Sequence, residues 1–209
     1  MPTAEIIALG TELLLGEIQD TNTRYIARHL RDTGIDLFRT AIIGDNAERI
    51  AQALREALTR AQIIITTGGL GPTVDDPTRQ AVALAVNVPL EYRPELWGQI
   101  QARFERFGRQ ATENNKRQAY IPQGSIPVEN LVGTAPAFIT ETGGSVIISL
   151  PGVPREMEAG AVGPYKTYLG TRVLRPSGRE YNPAFFAPWR RCGIVLRIQG
   201  TQPLCGCGV

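Results

Sequence analysis

An alternation of short apolar runs with segments of helical periodicity occupies the first 88 residues. The apolar runs cover residues 4–9, 35–44 and 62–67, and the helical segments cover residues 20–34, 45–61 and 76–88. Short apolar runs that end near glycine or polar residues are typical of buried strands. Repetition of strand and helix builds a parallel sheet that helices cover on both faces through right-handed crossovers. The pattern therefore predicts an α/β fold with a largely parallel sheet.

The alternation becomes less regular after the third helix. Residues 93–121 are polar and helical in character, and they predict an excursion over the edge of the sheet. Two further strands, 136–142 and 144–150, are separated by a Gly-Gly pair that indicates a hairpin. Residues 149–157 then lead into another helix.

The composition changes beyond about residue 160, where helical periodicity is lost and proline and arginine become frequent. We therefore predict a domain at residues 1–165 and an irregular, divergent tail at 166–209. The tail is interpreted either as a disordered extension or as the remnant of a truncated or frame-shifted longer protein. Its three cysteines, Cys192, Cys205 and Cys207, have no nearby histidine and are one ligand short of a closed zinc site.

Composition and charge exclude several classes of function. The 209 residues are 43% hydrophobic and 20% charged with a net charge of +2, so no strong field attracts nucleic acid or an anionic membrane. No run approaches the ~18–20 apolar residues of a membrane span, and the N-terminus lacks a signal peptide, so we expect a cytoplasmic protein. The single histidine, His29, lies between arginines in a predicted helix, which disfavours a Ser-His or Cys-His triad. The basic segment 105–118 predicts a flap or a homodimer contact.

The loop TTGGLGPTVDDPT, residues 66–78, follows directly on the third predicted strand. Ligands of open parallel sheets bind beyond the carboxyl ends of the strands. Gly68, Gly69 and Gly71 allow backbone N–H groups to approach a ligand, and the next helix presents its positive end. The loop is neither a P-loop nor a dinucleotide fingerprint. It predicts a phosphate or diphosphate site; the alternative is a strand-to-helix turn without a ligand.

Two adjacent carboxylates, Asp75 and Asp76, close this loop. Carboxylates beside a phosphate site repel the phosphate unless a divalent cation lies between them. A hard ion such as Mg²⁺, held by one or two aspartates and by ligand oxygens, resolves that conflict. For one of the two aspartates the alternative is N-capping of the helix beside Pro77.

A second polar loop, GTELLLGEIQDTN, follows the first strand and lies on the same predicted rim of the sheet. It offers Thr11, Glu12, Asp20, Thr21 and Asn22. Glu12 is a candidate second metal ligand or base, or else a solvated loop acid. The other side chains are candidates for lining the pocket.

The third rim loop, SLPGVPREM at residues 149–157, contains Gly152, Arg155 and Glu156. Arg155 is a candidate for neutralising a phosphate; the alternative is a surface arginine at the start of a helix. Three polar loops on one rim predict a pocket.

Four segments together resemble the N-terminal domain of the CinA (competence/damage-inducible protein A) family. They are AEIIALGTELLLGEIQDTNTRYIARHL, IGDN at 43–46, ITTGGLGPTVDDPTRQAVA and ISLPGVPREM. The resemblance runs in order over roughly residues 3–158 and departs from the family pattern after that. This domain belongs to the molybdopterin-binding, MoaB/Mog/MoeA-like superfamily, which implies a three-layer αβα fold with a largely parallel sheet.

The resemblance also implies a ligand and an activity. In the molybdenum-cofactor relatives the glycine loop holds a pterin phosphate, which carries over to Gly68, Gly69, Gly71 and Thr73, and a following acid corresponds to Asp75 or Asp76. In CinA proteins the domain is associated with metal-dependent cleavage of ADP-ribose. The second part of bacterial CinA, a nicotinamide-nucleotide amidohydrolase, has no counterpart in this sequence, so deamidation is not expected from this polypeptide.

Three hypotheses follow for function. The first is a hydrolase that cleaves ADP-ribose to AMP and ribose 5-phosphate with Mg²⁺, Mn²⁺ or Co²⁺, using Asp75, Asp76 and Glu12. The second is a module that binds molybdopterin or an adenylylated pterin without hydrolysis, and the third is a folded fragment without function. The expected partners are a small-molecule nucleotide or pterin and a second copy of the chain, with neither nucleic acid nor membrane.

Overall fold

A six-stranded sheet lies at the centre of the computed structural model, which describes residues 2–73 and 75–158. The tail predicted at 166–209 and the domain boundary at 165 fall outside the described residues. The strands are β1 Thr3–Leu9, β2 Asp36–Ile43, β3 Ile63–Thr67, β4 Leu90–Tyr92, β5 Tyr120–Pro122, β6 Ile126–Val128, β7 Ala137–Thr142 and β8 Ser145–Leu150. The helices are α1 Thr11–Leu14, α2 Asn22–Asp32, α3 Ala47–Leu58, α4 Thr78–Val86, α5 Pro94–Arg106, α6 Glu113–Lys116 and α7 Pro154–Glu156, with a 3-10 turn at Arg117–Ala119.

The strand order of the central sheet is β2-β1-β3-β8-β7-β6. The first four strands in this order are parallel, with Ile6 opposite Ile65 and Ile65 opposite Ile148. Strand β7 is antiparallel to β8, and the hairpin between them turns at Gly143 and Gly144, as the Gly-Gly pair predicts. The largely parallel α/β sheet predicted from the sequence is therefore confirmed.

Helices cover both faces of this sheet, because the side chains of each strand alternate between the two faces. Ile6 of β1 packs in the cluster formed with α2, whereas the next residue, Ile7, packs in the cluster formed with α3 and α4. Burial on both faces explains why β1, β3 and β8 are largely continuous apolar runs and not alternating ones. The following side chains of these two clusters are fully buried: Ile26, Leu30, Ile50, Leu54, Ile63, Ile64, Ile65, Val82 and Phe138.

The segment predicted as an excursion over the sheet edge instead packs on one face. Leu96 and Ile100 of α5 are buried in the same cluster as α3 and α4. Strands β4 and β5 pair antiparallel as a small second sheet in this segment, with Glu91 opposite Ile121. Each of these strands has three residues, which is too short for an alternation to be recognised in the sequence. Within the residues described, no helix is long and apolar enough to cross a membrane.

Candidate functional site

Three loops meet at the carboxyl ends of β1, β3 and β8. The amide of Gly68 donates to the carbonyl of Leu150 at 3.1 Å, which joins the loop after β3 to the end of β8. A Cβ atom placed on Gly152 would lie 3.1 Å from the Cα of Gly68, so the two loops touch through their backbones. The side chain of Asn22 donates to the carbonyl of Gly152 at 2.7 Å and adds the loop that precedes α2. The structure thus brings together the three loops that the sequence places on one rim.

The glycine loop turns sharply as it leaves β3. Gly68 has a φ of 111°, and a Cβ atom there would collide with the carbonyl oxygen of Leu9 at the end of β1. Only glycine combines this backbone conformation with such a close approach. Glycine at position 68 therefore allows the loop after β3 to pass in close contact with the carboxyl end of β1.

Thr78, the first residue of α4, orients two peptide groups of the loop. Its hydroxyl donates to the carbonyl of Gly68 at 2.8 Å, and its amide donates to the carbonyl of Gly69 at 3.2 Å. In a trans peptide the next N–H points away from the carbonyl, so the amides of Gly69 and Leu70 point away from Thr78. Neither of these two amides donates to any residue within 2–73 or 75–158. Both amides are therefore candidate donors to a phosphoryl group.

The carboxylate of Asp76 accepts hydrogen bonds from the remainder of the loop. Its Oδ1 accepts from the amide of Gly71 at 2.8 Å, and its Oδ2 accepts from the amide and the hydroxyl of Thr73 at 2.8 and 2.6 Å. The amides of Gly68, Gly71 and Thr73, all expected from the sequence to face a phosphate, are thus bonded within the protein. Asp76 Oδ1 retains a second lone pair, so the expectation that this carboxylate binds a metal stays a prediction.

Asp75 is the exposed carboxylate of the pair, and its side chain accepts no hydrogen bond from the described residues. Its orientation differs from that of Asp76, since one side chain faces solvent and the other faces the loop. Among residues 2–73 and 75–158, no group of three or more His, Cys, Asp or Glu side chains is arranged to hold a metal ion. One or two carboxylates combined with ligand oxygens are the usual protein contribution to a Mg²⁺ site.

The loop after β1 is fixed by contacts of its own. The amide of Thr11 donates to Asp45 Oδ2 at 2.8 Å, and the amide of Asp45 donates back to the Thr11 hydroxyl at 3.1 Å. Asp20 Oδ1 accepts from the amide of Thr23 at 2.9 Å, in the first turn of α2. The carboxylate of Glu12 is exposed and folds back over Gly10, where it would meet a Cβ atom at 2.6 Å. Thr11 and Asp20 therefore support the loop, while Glu12 remains free to face a ligand.

Asn22 lies buried where the three loops meet, with 7% of its surface exposed. Its side-chain nitrogen donates to Thr67 Oγ1 at 2.9 Å and to the Gly152 carbonyl, while Thr67 Oγ1 donates to the carbonyl of Pro151 at 3.1 Å. Because a carbonyl accepts only, these contacts fix which end of the Asn22 amide is the nitrogen. Asn22 Oδ1 is buried without a partner in the described structure.

Arg155 lies on α7 and is exposed. It forms no ion pair and donates no hydrogen bond to the described residues. Its expected role in neutralising a phosphate stays a prediction.

Arg79 is a residue of this site that the sequence analysis missed. It is the second residue of α4 and is buried, and its guanidinium donates to the carbonyls of Leu70 and Gly71 at 2.7 and 2.6 Å. Burial lowers the pKa of Arg79 to about 10, an effect that the Asp76 carboxylate opposes and that Arg117 reinforces. The guanidinium therefore stays protonated at neutral pH.

A fourth loop, residues 129–136, reaches the same rim and was also missed. It precedes β7, which is antiparallel to β8, so its end lies beside the carboxyl end of β8. Asn130 organises the loop by accepting from the amides of Val132 and Gly133 and by donating to the carbonyl of Ala135. Asn130 also donates to Glu156 Oε2 at 2.6 Å. The signal in the sequence is NLVGTAPA, a stretch rich in loop residues directly before a predicted strand.

A separate cavity of about 400 Å³ lies along α5. It is lined by Glu95, Gly98, Gln99, Ala102, Arg103, Arg106 and Glu129. No residue of the glycine loop lines it, so cavity volume alone does not identify the rim as the functional site. The rim is the candidate site because it carries the backbone donors Gly69 and Leu70 and the exposed carboxylate of Asp75.

Known proteins are similar to this chain in sequence and in fold. A family model described as a probable molybdopterin binding domain matches residues 5–163. A CinA-like protein of Synechococcus sp. is 45% identical over 174 residues, which are 83% of this chain and 42% of that protein. The first three curated relatives are each matched over 37% to 42% of their length, so the chain spans less than half of them.

Solved structures extend the comparison. The crystal structure of CinA from Thermoplasma acidophilum, a protein with unknown function, matches with a TM-score of 0.75 and 33% identity, over 80% of this chain and 98% of that one. The tungsten cofactor synthesizing protein MoaB from Pyrococcus furiosus matches with a TM-score of 0.54 and 18% identity, over 83% of this chain and 95% of that one. The second likeness concerns the fold alone.

Proposed function

Because the chain belongs to the CinA family and carries the probable molybdopterin binding domain, we propose that it hydrolyses the diphosphate of ADP-ribose with a divalent metal ion. The observation that carries this proposal is the glycine loop after β3. It directs the amides of Gly69 and Leu70 away from Thr78 and presents the exposed carboxylate of Asp75 a few residues later. Donors for phosphoryl oxygens and a carboxylate for a cation thus lie on one short segment.

Carboxylate oxygens are the ligands that a hard divalent ion prefers. Asp75 accepts no hydrogen bond from the described residues, and Asp76 Oδ1 retains one lone pair. Mg²⁺, Mn²⁺ or Co²⁺ bound by these two aspartates would neutralise the repulsion between the carboxylates and a diphosphate. Glu12, exposed on the neighbouring loop, is the candidate for a second oxygen ligand or for the proton acceptor.

The reaction adds one water molecule to ADP-ribose. The water oxygen bonds to one phosphorus, the bridging oxygen leaves with the other phosphate, and the products are AMP and ribose 5-phosphate. The amides of Gly69 and Leu70 would donate to phosphoryl oxygens whose negative charge changes during this step. Fixed backbone donors are effective here because they require no reorganisation during the reaction. Arg155, exposed on α7, would neutralise part of the charge of the diphosphate.

The direct experiment is to incubate the purified 209-residue chain with ADP-ribose and each of the three metal ions, and to measure AMP by chromatography. Asp75→Asn should lower turnover by about 100-fold or more, as expected when a stabilising electrostatic contact is removed. Asp36→Asn, at the exposed amino end of β2, is the matched control and should retain turnover. Full metal-dependent turnover in both Asp75→Asn and Asp76→Asn would refute the assignment.

A second candidate is a module that binds molybdopterin or an adenylylated pterin without hydrolysis. The observation that favours it is the position of Asp76, whose carboxylate accepts three hydrogen bonds from the loop. These bonds fix the conformation of a phosphate-binding loop, which is a structural role and not a catalytic one. Calorimetry with ADP-ribose and with molybdopterin separates the candidates, because each predicts tight binding of only one ligand. Tight molybdopterin binding without AMP formation would favour the binding module.

A further inference from the structure

Arg79 is buried directly beneath the glycine loop without a carboxylate bonded to it. Only 6% of its surface is exposed, and it forms no ion pair with the residues that the structure describes. Its hydrogen bonds go to the peptide carbonyls of Leu70 and Gly71. Burying a cation without a bonded anion is costly. The Asp76 carboxylate offsets part of this cost, since it raises the pKa of Arg79 against the effect of burial.

The two carbonyl contacts determine how the loop faces outward. Arg79 draws the carbonyls of Leu70 and Gly71 inward, and Thr78 does the same for the carbonyls of Gly68 and Gly69. Four successive carbonyls are therefore turned toward the start of α4. The amide of Gly71 is used by Asp76, which leaves the amides of Gly69 and Leu70 as an adjacent pair facing away from the helix.

Neutral donors would have sufficed for the carbonyl contacts alone. Gln118 Nε2 already approaches the carbonyl of Leu70 at 3.4 Å, so an uncharged amide reaches the same acceptor. The guanidinium adds a full charge, and hydrogen bonds from charged donors are stronger than those from neutral ones. An anion bound at the two amides would face the turn of backbone that Arg79 holds from the other side, and the guanidinium charge would attract it.

We propose that Arg79 is a positioning residue of the phosphate site, which aligns the amides of Gly69 and Leu70 and supplies the positive charge for a phosphoryl group that it does not touch. This inference rests on the proposed function only in placing a phosphoryl group at the glycine loop. It names the ligand feature that the loop selects: a terminal or bridging phosphoryl group that accepts from two adjacent peptide amides.

The test uses the full chain and the variants Arg79→Gln and Arg79→Lys, with Arg39→Gln as the control. Arg39 is exposed on β2, where it pairs in register with Glu5 near the amino end of the sheet, so its replacement removes one positive charge far from the rim. Calorimetry measures binding of Mg²⁺-pyrophosphate and of ADP-ribose. Arg79→Gln should weaken both affinities by about tenfold or more, because a charge-assisted contribution is lost. Arg39→Gln should leave both unchanged.

A comparison of ligands with and without phosphate distinguishes a positioning role of Arg79 from a general structural role. Adenosine, which lacks phosphate, is the second probe, and the quantity compared is the gain in affinity from adenosine to ADP-ribose. Arg79→Gln should remove most of this gain and leave adenosine binding unchanged, while Arg79→Lys should retain part of it because the charge remains. An equal loss for adenosine and ADP-ribose would overturn the proposal, as would unchanged pyrophosphate binding in a folded Arg79→Gln protein.

Hydrogen exchange of the unliganded proteins gives a readout that requires no ligand. Exchange of the peptide covering the glycine loop should accelerate in Arg79→Gln, because the inward carbonyl contacts weaken, and should stay as in the parent chain in Arg39→Gln. Unchanged loop exchange in Arg79→Gln would overturn the positioning role. Failure of the proposed hydrolysis is a different result: the parent chain would bind pyrophosphate in an Arg79-dependent manner and form no AMP. If the parent chain binds no pyrophosphate, the inference about Arg79 is overturned as well as the proposed hydrolysis.

Discussion

The side-chain nitrogen of Asn22 donates to Thr67 Oγ1 at 2.9 Å and so joins the start of α2 to the end of β3. The two residues are 45 positions apart in the chain, and both are buried. Thr67 Oγ1 in turn donates to the carbonyl of Pro151 in the loop after β8, and Asn22 donates to the carbonyl of Gly152 in the same loop. Two polar side chains thus hold three rim loops in a fixed arrangement.

We expect Asn22→Ala to destabilise the protein because it leaves Thr67 Oγ1 and the Gly152 carbonyl without their donor. A buried polar group left without a partner costs about 1–3 kcal/mol, so the free energy of unfolding should fall by about that amount. Urea denaturation measures the change. Asn114→Ala, at an exposed position of α6, is the control and should change stability by less than about 0.5 kcal/mol. A stability equal to that of the parent chain would show that the three-loop connection is dispensable.

The same substitution at the two adjacent aspartates should lower the stability in one case and leave it unchanged in the other. Asp76→Asn removes a charged acceptor that receives three hydrogen bonds from Gly71 and Thr73, and we expect a loss of about 2 kcal/mol of stability. Asp75→Asn removes an exposed charge without such contacts and should leave stability unchanged within about 0.5 kcal/mol. Thermal unfolding of both variants, compared with metal-dependent turnover, separates loop support from metal binding. Equal stability losses would contradict the division of roles.

The sequence was sufficient for the fold and for three of the four rim loops. Strands buried on both faces appear as continuous apolar runs, and parallel strands place their following loops on one edge, so β1, β3 and β8 located those loops correctly. The loop at 129–136 was missed because it precedes its strand. Its position on the rim follows from the antiparallel direction of β7. The Gly-Gly pair predicts that direction, but only loops that follow a strand were assigned to the rim from the sequence.

The inward contacts of the glycine loop were also beyond sequence reasoning. Asp76 and Arg79 are polar residues at the start of a helix, where solvent exposure is the ordinary expectation. The burial of Arg79 and the inward orientation of Asp76 depend on the backbone path of residues 68–73, since Arg79 must find carbonyls and Asp76 must find amides within the same turn. A sequence pattern supplies the donors and acceptors but not the directions in which they point.

Asn130→Ala should release the fourth loop from α7. The side chain accepts from two amides, donates to the carbonyl of Ala135, and donates to Glu156. Loss of this set should lower the free energy of unfolding by about 2 kcal/mol and accelerate hydrogen exchange across residues 130–136. Gln101→Ala, exposed on α5, is the control and should leave both measurements unchanged. Unaltered exchange in Asn130→Ala would mean that the loop is held by other contacts.

Glycine replacements at two positions should change stability in opposite directions. Gly68→Ala places a Cβ atom against the carbonyl oxygen of Leu9 at a φ of 111°, so we expect a loss of about 3 kcal/mol and weaker phosphate binding. Gly98→Ala is the matched control, because Gly98 lies within α5 and its Cβ atom would meet nothing within 4 Å. Alanine has the higher helix propensity, so Gly98→Ala should gain about 0.5–1 kcal/mol. Urea denaturation measures both changes, and pyrophosphate calorimetry should show a loss for Gly68→Ala alone. A Gly68→Ala protein with unchanged stability and binding would contradict the close contact between Gly68 and the end of β1, on which the geometry of the site depends.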